Sequence, residues 1–325
     1  MTMLKGLALT PPVVGRITIG RVVEKNGKRV PEKDDEFTLT TQVQAKSGWV
    51  AHPLDEALRG TSGAKLRAIP VTVLFDDPDL NLRAHFTLFD RQTGRPVCVG
   101  NGETCRRVTV NGMASLPCPS PEGCEVGAKG GCKPYGRLNV RVGEEDVLGS
   151  FVFRTTGFNS IRTLATRLHY FSAVSGGVLA CLPLELRLRG KSTTQSHRAP
   201  IFYVDLTVRS GMTLEEAVAQ ARQLRAAQVE AGLDQHALDG AARQGLAAGA
   251  FEDSEEDGSA VVEEFYPPDV TETPISDGIS ASEGALDDEA ASPAATLAAK
   301  LQARVKKSNA GHLAESTGER ARDSA

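Results

Sequence analysis

The chain has 325 residues, of which 40% are hydrophobic and 24% charged, and its formal net charge is −4 at pH 7. This length allows one large or two small domains with a packed core. The first residues lack the features of a signal peptide, and no apolar run is long enough to span a bilayer. We therefore expect a cytoplasmic protein with no membrane partner.

The charge is divided unevenly along the chain. Residues 1–211 carry 28 Lys and Arg against 19 Asp and Glu, whereas residues 212–325 carry 9 against 22. Asymmetry of this size predicts a basic body and an acidic tail. We accordingly divide the chain into a β-rich body (1–211), a helical extension (212–250) and an acidic, mostly disordered tail (251–325).

Two β-hairpins are predicted in the first 90 residues. Apolar runs at 16–23 and 37–43 flank a polar turn containing Asn-Gly, a dipeptide that favours a hairpin. Strict alternation of apolar and polar residues at 69–75 and 82–88 predicts a second pair of strands, joined by the acidic turn 76–79.

Five of the six cysteines lie in the stretch 98–142, among many proline and glycine residues. In a reducing compartment, clustered cysteines bind metal more often than they form disulfides. Thiolate ligands in a tetrahedral set suit zinc. The stretch therefore predicts a zinc loop, followed by a strand at 138–142.

Three of the zinc ligands are predicted to be Cys118, Cys124 and Cys132, which share the Pro/Gly-rich loop. The fourth is Cys98, at the end of an apolar run, or alternatively Cys105, which follows a flexible Gly-Asn-Gly. We prefer Cys98. Four thiolates would fill the coordination sphere, so this zinc would be structural.

From residue 150 the pattern predicts a strand, a helix and two further strands. Asn159 or Ser160 can cap the helix, and Gly176-Gly177 ends it. The strands follow at 182–188 and 202–208. The helix should bury an apolar stripe consisting of Ile161, Leu164, Leu168 and Phe171.

The remainder of the chain is predicted to be helical and then acidic. Thr213 and Glu216 form a capping box for one helix, and a second helix covers 234–247. Residues 252–289 contain fourteen acidic residues and no Lys or Arg, a composition that cannot form a packed core. An apolar island interrupts this span, and it is either a linker or a docking motif: Val261, Val262, Phe265 and Tyr266.

The predicted fold class is α+β: a mainly antiparallel β body with one packed helix and a cysteine-rich zinc loop, followed by C-terminal helices and a disordered acidic tail. The six histidines are scattered, and the sequence contains no phosphate-binding glycine loop, nucleophile elbow or His-Glu-x-x-His. A non-enzymatic protein is therefore predicted. The alternative is a zinc-dependent hydrolase.

Four segments occur in an informative order: the strand ending in Cys98, the cysteine loop running into CKPYGRLNV, then FRTTGFNSIRTLATRL, then SGGVLACLPLEL. This order resembles the Gp3-like recombination directionality factors of phages and integrative elements. The resemblance implies a non-enzymatic protein that binds a large serine recombinase on its attachment sites and turns integration into excision. It also implies a bound zinc, whose ligands map to Cys118, Cys124, Cys132 and Cys98. Cys105 and the acidic tail depart from the family pattern.

The surface expected to meet the recombinase combines the outward face of the predicted helix with the loop after the next strand. Its cations are Arg162, Arg167, Arg189, Lys191 and Arg198. We place recombinase binding ahead of direct DNA contact, which stays the alternative, since the basic residues are spread out and no DNA-reading motif is present.

Overall fold

The structure is a computed structural model that describes residues 11–25, 28–45, 48–61, 63–143, 149–192, 194, 200–246, 249, 261, 262 and 265. The chain divides into two units, residues 1–269 and 270–325, and every described residue lies in the first. Apart from residues 261, 262 and 265, the predicted disordered tail lies outside the described residues.

Twelve strands are found in the described residues, and all belong to one sheet. Their order is β3-β2-β1-β10-β9-β5-β6-β7-β8, with β4 joining β9 to β11 and β12 following β11. The strands are β1 (Val13–Lys25), β2 (Lys28–Ala45), β3 (Gly48–Ala51), β4 (Ala68–Val73), β5 (Leu82–Phe89), β6 (Pro96–Gly100), β7 (Thr104–Thr109), β8 (Gly112–Pro117), β9 (Lys133–Val142), β10 (Ser150–Thr155), β11 (Leu184–Lys191) and β12 (Ile201–Val208).

The sheet is mainly antiparallel, as predicted, and the fold is α+β. Among the described pairings, only β1 and β10 run parallel. The first predicted hairpin is confirmed by the antiparallel pairing of β1 with β2.

The helices are α1 (Pro53–Arg59), α2 (Pro78–Asn81), α3 (Ser120–Gly123), α4 (Glu125–Gly130), α5 (Phe158–Ser175), α6 (Leu214–Glu230) and α7 (Gln235–Leu246), with a 3-10 turn at Leu179–Cys181. The capping box that begins α6 is confirmed. In the part of the chain that the structure describes, no helix is long and apolar enough to cross a membrane.

Helix α5 covers one face of the sheet and buries the stripe predicted for it. Leu164 and Leu168 are fully buried in one cluster with Phe153 and Leu138 of the sheet. Burial of several such side chains, at roughly 1.5–3 kcal/mol each, fixes the helix on the sheet.

The predicted N-cap of α5 is wrong. Gly157 is the N-cap, and both predicted capping side chains have other partners. The Ser160 hydroxyl accepts a 3.1 Å hydrogen bond from the Val204 backbone, and the Asn159 side chain accepts one from Lys191. These bonds attach the start of α5 to the β11–β12 hairpin.

The second predicted hairpin is also wrong. Strands β4 and β5 both pair with β9 instead of with each other. The chain between them forms α2, and the Asn81 side chain accepts 3.0 Å hydrogen bonds from the backbone N–H groups of Leu74 and Phe75. This bonded connection takes the place of a hairpin turn, and the two strands share one edge of β9.

The acidic turn between β4 and α2 holds the C-terminal helices. Asp76 forms an ion pair with Arg225 of α6, and Asp77 forms one with Arg243 of α7. The Asp239 carboxylate of α7 accepts 3.1 Å hydrogen bonds from the backbone N–H groups of Asp76 and Asp77. The helical extension is thus attached to the body through polar contacts at this turn, in addition to its apolar packing.

Candidate metal centre and cationic surface

The cysteines of the predicted zinc loop come together at the edge of the sheet where β6, β7 and β8 form a meander. Cys98 and Cys105 lie on neighbouring strands and are buried. Cys118 and Cys132 pack against the same cluster. Cys124 lies between the short helices α3 and α4.

Two glycines allow pairs of cysteines to approach closely. A Cβ atom at position 100 would lie 2.7 Å from the Cys105 Cβ and 2.8 Å from the Cys118 Sγ. A Cβ atom at position 127 would lie 3.2 Å from the Cys132 Cβ and 3.3 Å from the Cys124 Cβ. Contacts this short exclude any side chain at Gly100 and crowd one at Gly127, so the glycines are part of the site.

Arg107 lies among these thiols, a feature that sequence reasoning missed. Its Nε–H donates to the Cys98 Sγ at 3.4 Å and its Nη2 group to the Cys124 Sγ at 3.3 Å. The Gly127 backbone N–H also donates to the Cys124 Sγ, at 3.3 Å. Arg107 follows Cys105 by two residues in β7, and this spacing, which places both on one face of a strand, is the signal that could have found it.

The thiols differ in acidity because their surroundings differ. Burial, with the neighbouring thiols, raises the pKa of Cys132 to about 12, and burial together with Cys98 raises the pKa of Cys105 to about 11. The N–H of Gly127, aided by Arg107, lowers the pKa of Cys124. Hydrogen bonding to Cys98 raises the pKa of Arg107, which remains a cation.

The donor chemistry of this cluster fits zinc, because soft thiols converge at one place and N–H groups point at two of the sulfur atoms. Within the described ranges, however, no three His, Cys, Asp or Glu side chains are already arranged as ligands of one metal ion, so zinc binding would require the thiols to rearrange. Cys98 and Cys105 lie in the same cluster, so the choice between them as the fourth ligand stays open.

The cations predicted to meet a partner are partly engaged within the chain. Arg167 of α5 and Arg189 of β11 both pair with Asp205, at 3.0 and 3.2 Å, and the Asp205 side chain is buried between them. These two charges are therefore partly neutralised within the chain. Arg198 lies outside the described residues.

The first turn of α5 extends this cationic surface. Lys191 donates a 2.8 Å hydrogen bond to the Asn159 side chain, and Arg162 is exposed three residues further along the helix. Phe158, which the sequence did not single out, is 56% exposed and lies one turn before Arg162. It borders an apolar cleft of about 180 Å³, whose other lining residues are Ala84, His85, Phe86, Asn101, Pro134 and Ile161.

The model of the Gp3-like family, described as recombination directionality factor-like, matches residues 14–209. The match includes both the cysteine loop and the α5 surface and covers more than half of the chain. The chain belongs to the Gp3-like family of recombination directionality factor-like proteins, which confirms the resemblance predicted from sequence. Membership indicates a role with the recombination machinery. No curated protein and no solved structure matches the chain.

Proposed function

We propose that this chain binds a serine recombinase on its attachment sites and shifts site-specific recombination toward excision. The family match over residues 14–209 is the observation that carries the proposal. Such a protein needs no chemistry of its own, because it acts by binding one arrangement of the recombinase better than another. Moving an equilibrium from 1:99 to 99:1 requires about 10⁴-fold tighter binding to the favoured arrangement.

The surface proposed to contact the recombinase is centred on Phe158. Protein interfaces commonly place an aromatic anchor in an apolar centre and surround it with polar residues. Here the cleft and Phe158 supply the apolar centre, and Arg162 and Lys191 supply cations beside it. Arg167 and Arg189 add charge further along but are tied to Asp205. An acidic or polar recombinase surface would complement this arrangement.

A structural zinc is proposed to hold the cysteine loop. Cys118, Cys124 and Cys132 would ligate it, with Cys98 or Cys105 as the fourth thiolate. When bound, the metal would cross-link the β6–β8 meander to the segment that leads into β9. Chelation should therefore loosen residues 97–142, because metal binding and local folding are coupled.

The surface is tested by measuring how tightly the protein binds its co-encoded recombinase on DNA, by gel mobility. We expect Phe158→Ala, and separately the pair Arg162→Glu and Lys191→Glu, to weaken binding about tenfold, a loss of about 1.4 kcal/mol. Unchanged melting temperatures would show that the variants remain folded.

The matched control for charge is the pair Arg91→Glu and Arg95→Glu, since both arginines are exposed and lie on the β5–β6 turn, outside α5 and β11. This control should bind normally. If the wild type, the Phe158 variant and the Arg162/Lys191 variant all bind the recombinase equally, this surface is excluded. If the control variant weakens recombinase binding as much as the Arg162/Lys191 variant does, only net charge matters.

A further inference from the structure

Strand β8 presents an edge of the sheet that has no partner among the described residues. It stands at one end of the strand order, and β7 is the strand with which it pairs. Its sequence is Gly-Met-Ala-Ser-Leu-Pro, from Gly112 to Pro117. Met113 and Ser115 are exposed, as is Val108, which lies opposite Met113 on β7.

The pairing with β7 determines which backbone groups of β8 point outward. At the open end of this hairpin, the Cys118 N–H donates a 2.8 Å hydrogen bond to the Glu103 carbonyl. In an antiparallel pair, positions that bond to the neighbouring strand alternate with positions whose N–H and C=O groups point away from it. The register therefore directs the backbone N–H and C=O groups of Met113 and Ser115 away from β7.

The strands at the other ends of the sheet are protected. On β12, the Val204 N–H donates to the Ser160 hydroxyl at 3.1 Å, and the Leu206 N–H donates to the Asp205 carboxylate at 3.0 Å. Strand β3 is only four residues long. Sheets commonly protect their edges by covering or shortening them, or with charged residues, because an open edge pairs with other strands. In the described part of the chain, β8 has none of these protections.

The charge distribution around β8 permits it to pair with a copy of itself. None of its six residues is charged. The neighbouring cations are Arg106 and Arg107 of β7, which would lie three strand spacings, about 14 Å, from their counterparts in a second copy. That separation exceeds the Debye length of about 8 Å at physiological salt, so like charges would not oppose the pairing.

We propose that β8 is an interface at which a second copy of this chain binds, so that the two sheets become one across a two-fold axis. Ala114 would lie on the axis, opposite Ala114 of the second copy. On either side of it, Met113 of one copy would lie opposite Ser115 of the other. Each Met113–Ser115 pair would exchange two backbone hydrogen bonds, which uses the outward groups of both residues.

The side chains of β8 suit this arrangement. The positions that face each other without hydrogen bonds approach most closely, and the small Ala114 occupies the central one. Met113, which is 44% exposed, would be a diagonal neighbour of Met113 of the second copy, within reach of a long side chain. An unrelated strand would find no charge on β8 to recognise, so we infer a second copy as the occupant.

The interface is separate from the surface proposed to meet the recombinase, since it contains no residue of α5 or β11. Two paired copies would present two Phe158 surfaces, and such bivalency strengthens binding without new contacts. Pairing over so short a strand buries less surface than a permanent dimer does, so the dimer should form and dissociate with concentration.

The test measures self-association of the full-length protein by sedimentation, without recombinase. We expect the wild type to dimerise as its concentration rises, and Ser115→Lys and Ser115→Glu each to weaken dimerisation about tenfold, because the symmetry places like charges near each other. An equal mixture of the two variants should associate more tightly than either alone, since opposite charges then meet. Gln92→Lys, which adds the same charge at an exposed site on the β5–β6 turn, is the control and should dimerise normally.

Dimerisation unchanged by Ser115→Lys, weakened equally by Gln92→Lys, or not restored in the mixture would overturn the proposal. Unchanged melting temperatures would show that the variants remain folded.

A second measurement uses only the wild type, in case the Ser115 variants fail to fold. Amide hydrogen exchange at Met113 and Ser115 should slow as the protein concentration rises, whereas Ala114 and Leu116, which bond to β7, should be protected at every concentration. A protein that stays monomeric, with exchange at Met113 and Ser115 independent of concentration, would overturn the proposal and leave this edge to a strand of another protein.

Discussion

At the scale of single residues, Arg107 is the side chain that links separate parts of the cysteine cluster. One guanidinium donates to two sulfur atoms on different segments, Cys98 on β6 and Cys124 at the start of α4. Hydrogen bonds of this kind strengthen when the sulfur is a thiolate, because the acceptor then carries charge. Arg107 is therefore expected to stabilise the metal-bound form of the loop.

The first prediction is that Arg107→Gln weakens zinc binding about tenfold, the usual cost of losing a partner that orients a ligand. Competition against a chromophoric chelator measures the affinity. Arg106→Gln is the matched control, since Arg106 is the next residue in β7 and points to the other face of the strand. Equal affinity in both variants would mean that Arg107 has no part in the site. Protein purified without chelator and found to lack metal would end the zinc hypothesis itself.

A second residue-scale prediction concerns pH. Burial alone would raise the pKa of Glu185, but hydrogen bonds from Arg187 and Ser210 outweigh it and lower the pKa below its ordinary value. A carboxyl with a depressed pKa stabilises the fold above its unfolded-state pKa, and this contribution is lost as the pH falls through the folded-state value. Glu185→Gln should therefore lower the free energy of unfolding more at pH 7 than at pH 3. Urea titrations at both pH values measure this, and an equal loss at the two would contradict it.

Site residues could be predicted from the sequence where the residue type itself is distinctive. The five cysteines were found because thiols are rare and cluster between glycines and prolines. Arg107 and Phe158 were missed because an arginine in a strand and a phenylalanine at a helix start are ordinary in sequence. Only the folded chain shows that one reaches sulfur and the other borders a cleft.

At the scale of elements, the attachment of α6 and α7 depends on the acidic turn between β4 and α2. The Arg225–Asp76 pair is mostly buried, whereas Arg243, which pairs with Asp77, is exposed. Asp76 also accepts a 2.9 Å hydrogen bond from the Ala180 backbone, so it connects α6 to the 3-10 turn.

The prediction at this scale is that Arg225→Ala lowers stability by about 1–2 kcal/mol, between the values for exposed and fully buried pairs. Amide exchange in α6 should quicken while β9 and β10 stay protected. Arg243→Ala is the comparison, and it should change stability little because its ion pair is exposed. A larger loss of stability in Arg243→Ala than in Arg225→Ala would contradict this prediction.

The elements themselves were largely predictable, but their pairing was not. Alternation located β4 and β5 correctly, yet the hairpin assigned to them is wrong, because alternation fixes which face is buried and not which strand is the neighbour. The N-cap of α5 was missed for a related reason. Asn159 and Ser160 have capping side chains, but tertiary contacts with β11 and β12 engage them instead.

At the scale of the whole molecule, the sheet buries both of its faces by different means. One face packs against α5 and α6 with apolar side chains, while the other buries Arg83, Arg137 and Arg154 on three neighbouring strands. From sequence, the arginines alternating with core residues are typical of a solvent-exposed face. Their burial is a property of the tertiary structure, which no local pattern can indicate.

Whether the protein sets the direction of recombination is tested by recombination in solution with its co-encoded serine recombinase. The substrates are the two hybrid attachment sites in one set of reactions and the two parental sites in another, each with and without this protein. We expect the protein to be required for recombination between hybrid sites and to reduce recombination between parental sites. Identical products and yields with and without the protein, at concentrations that saturate recombinase binding, would contradict it.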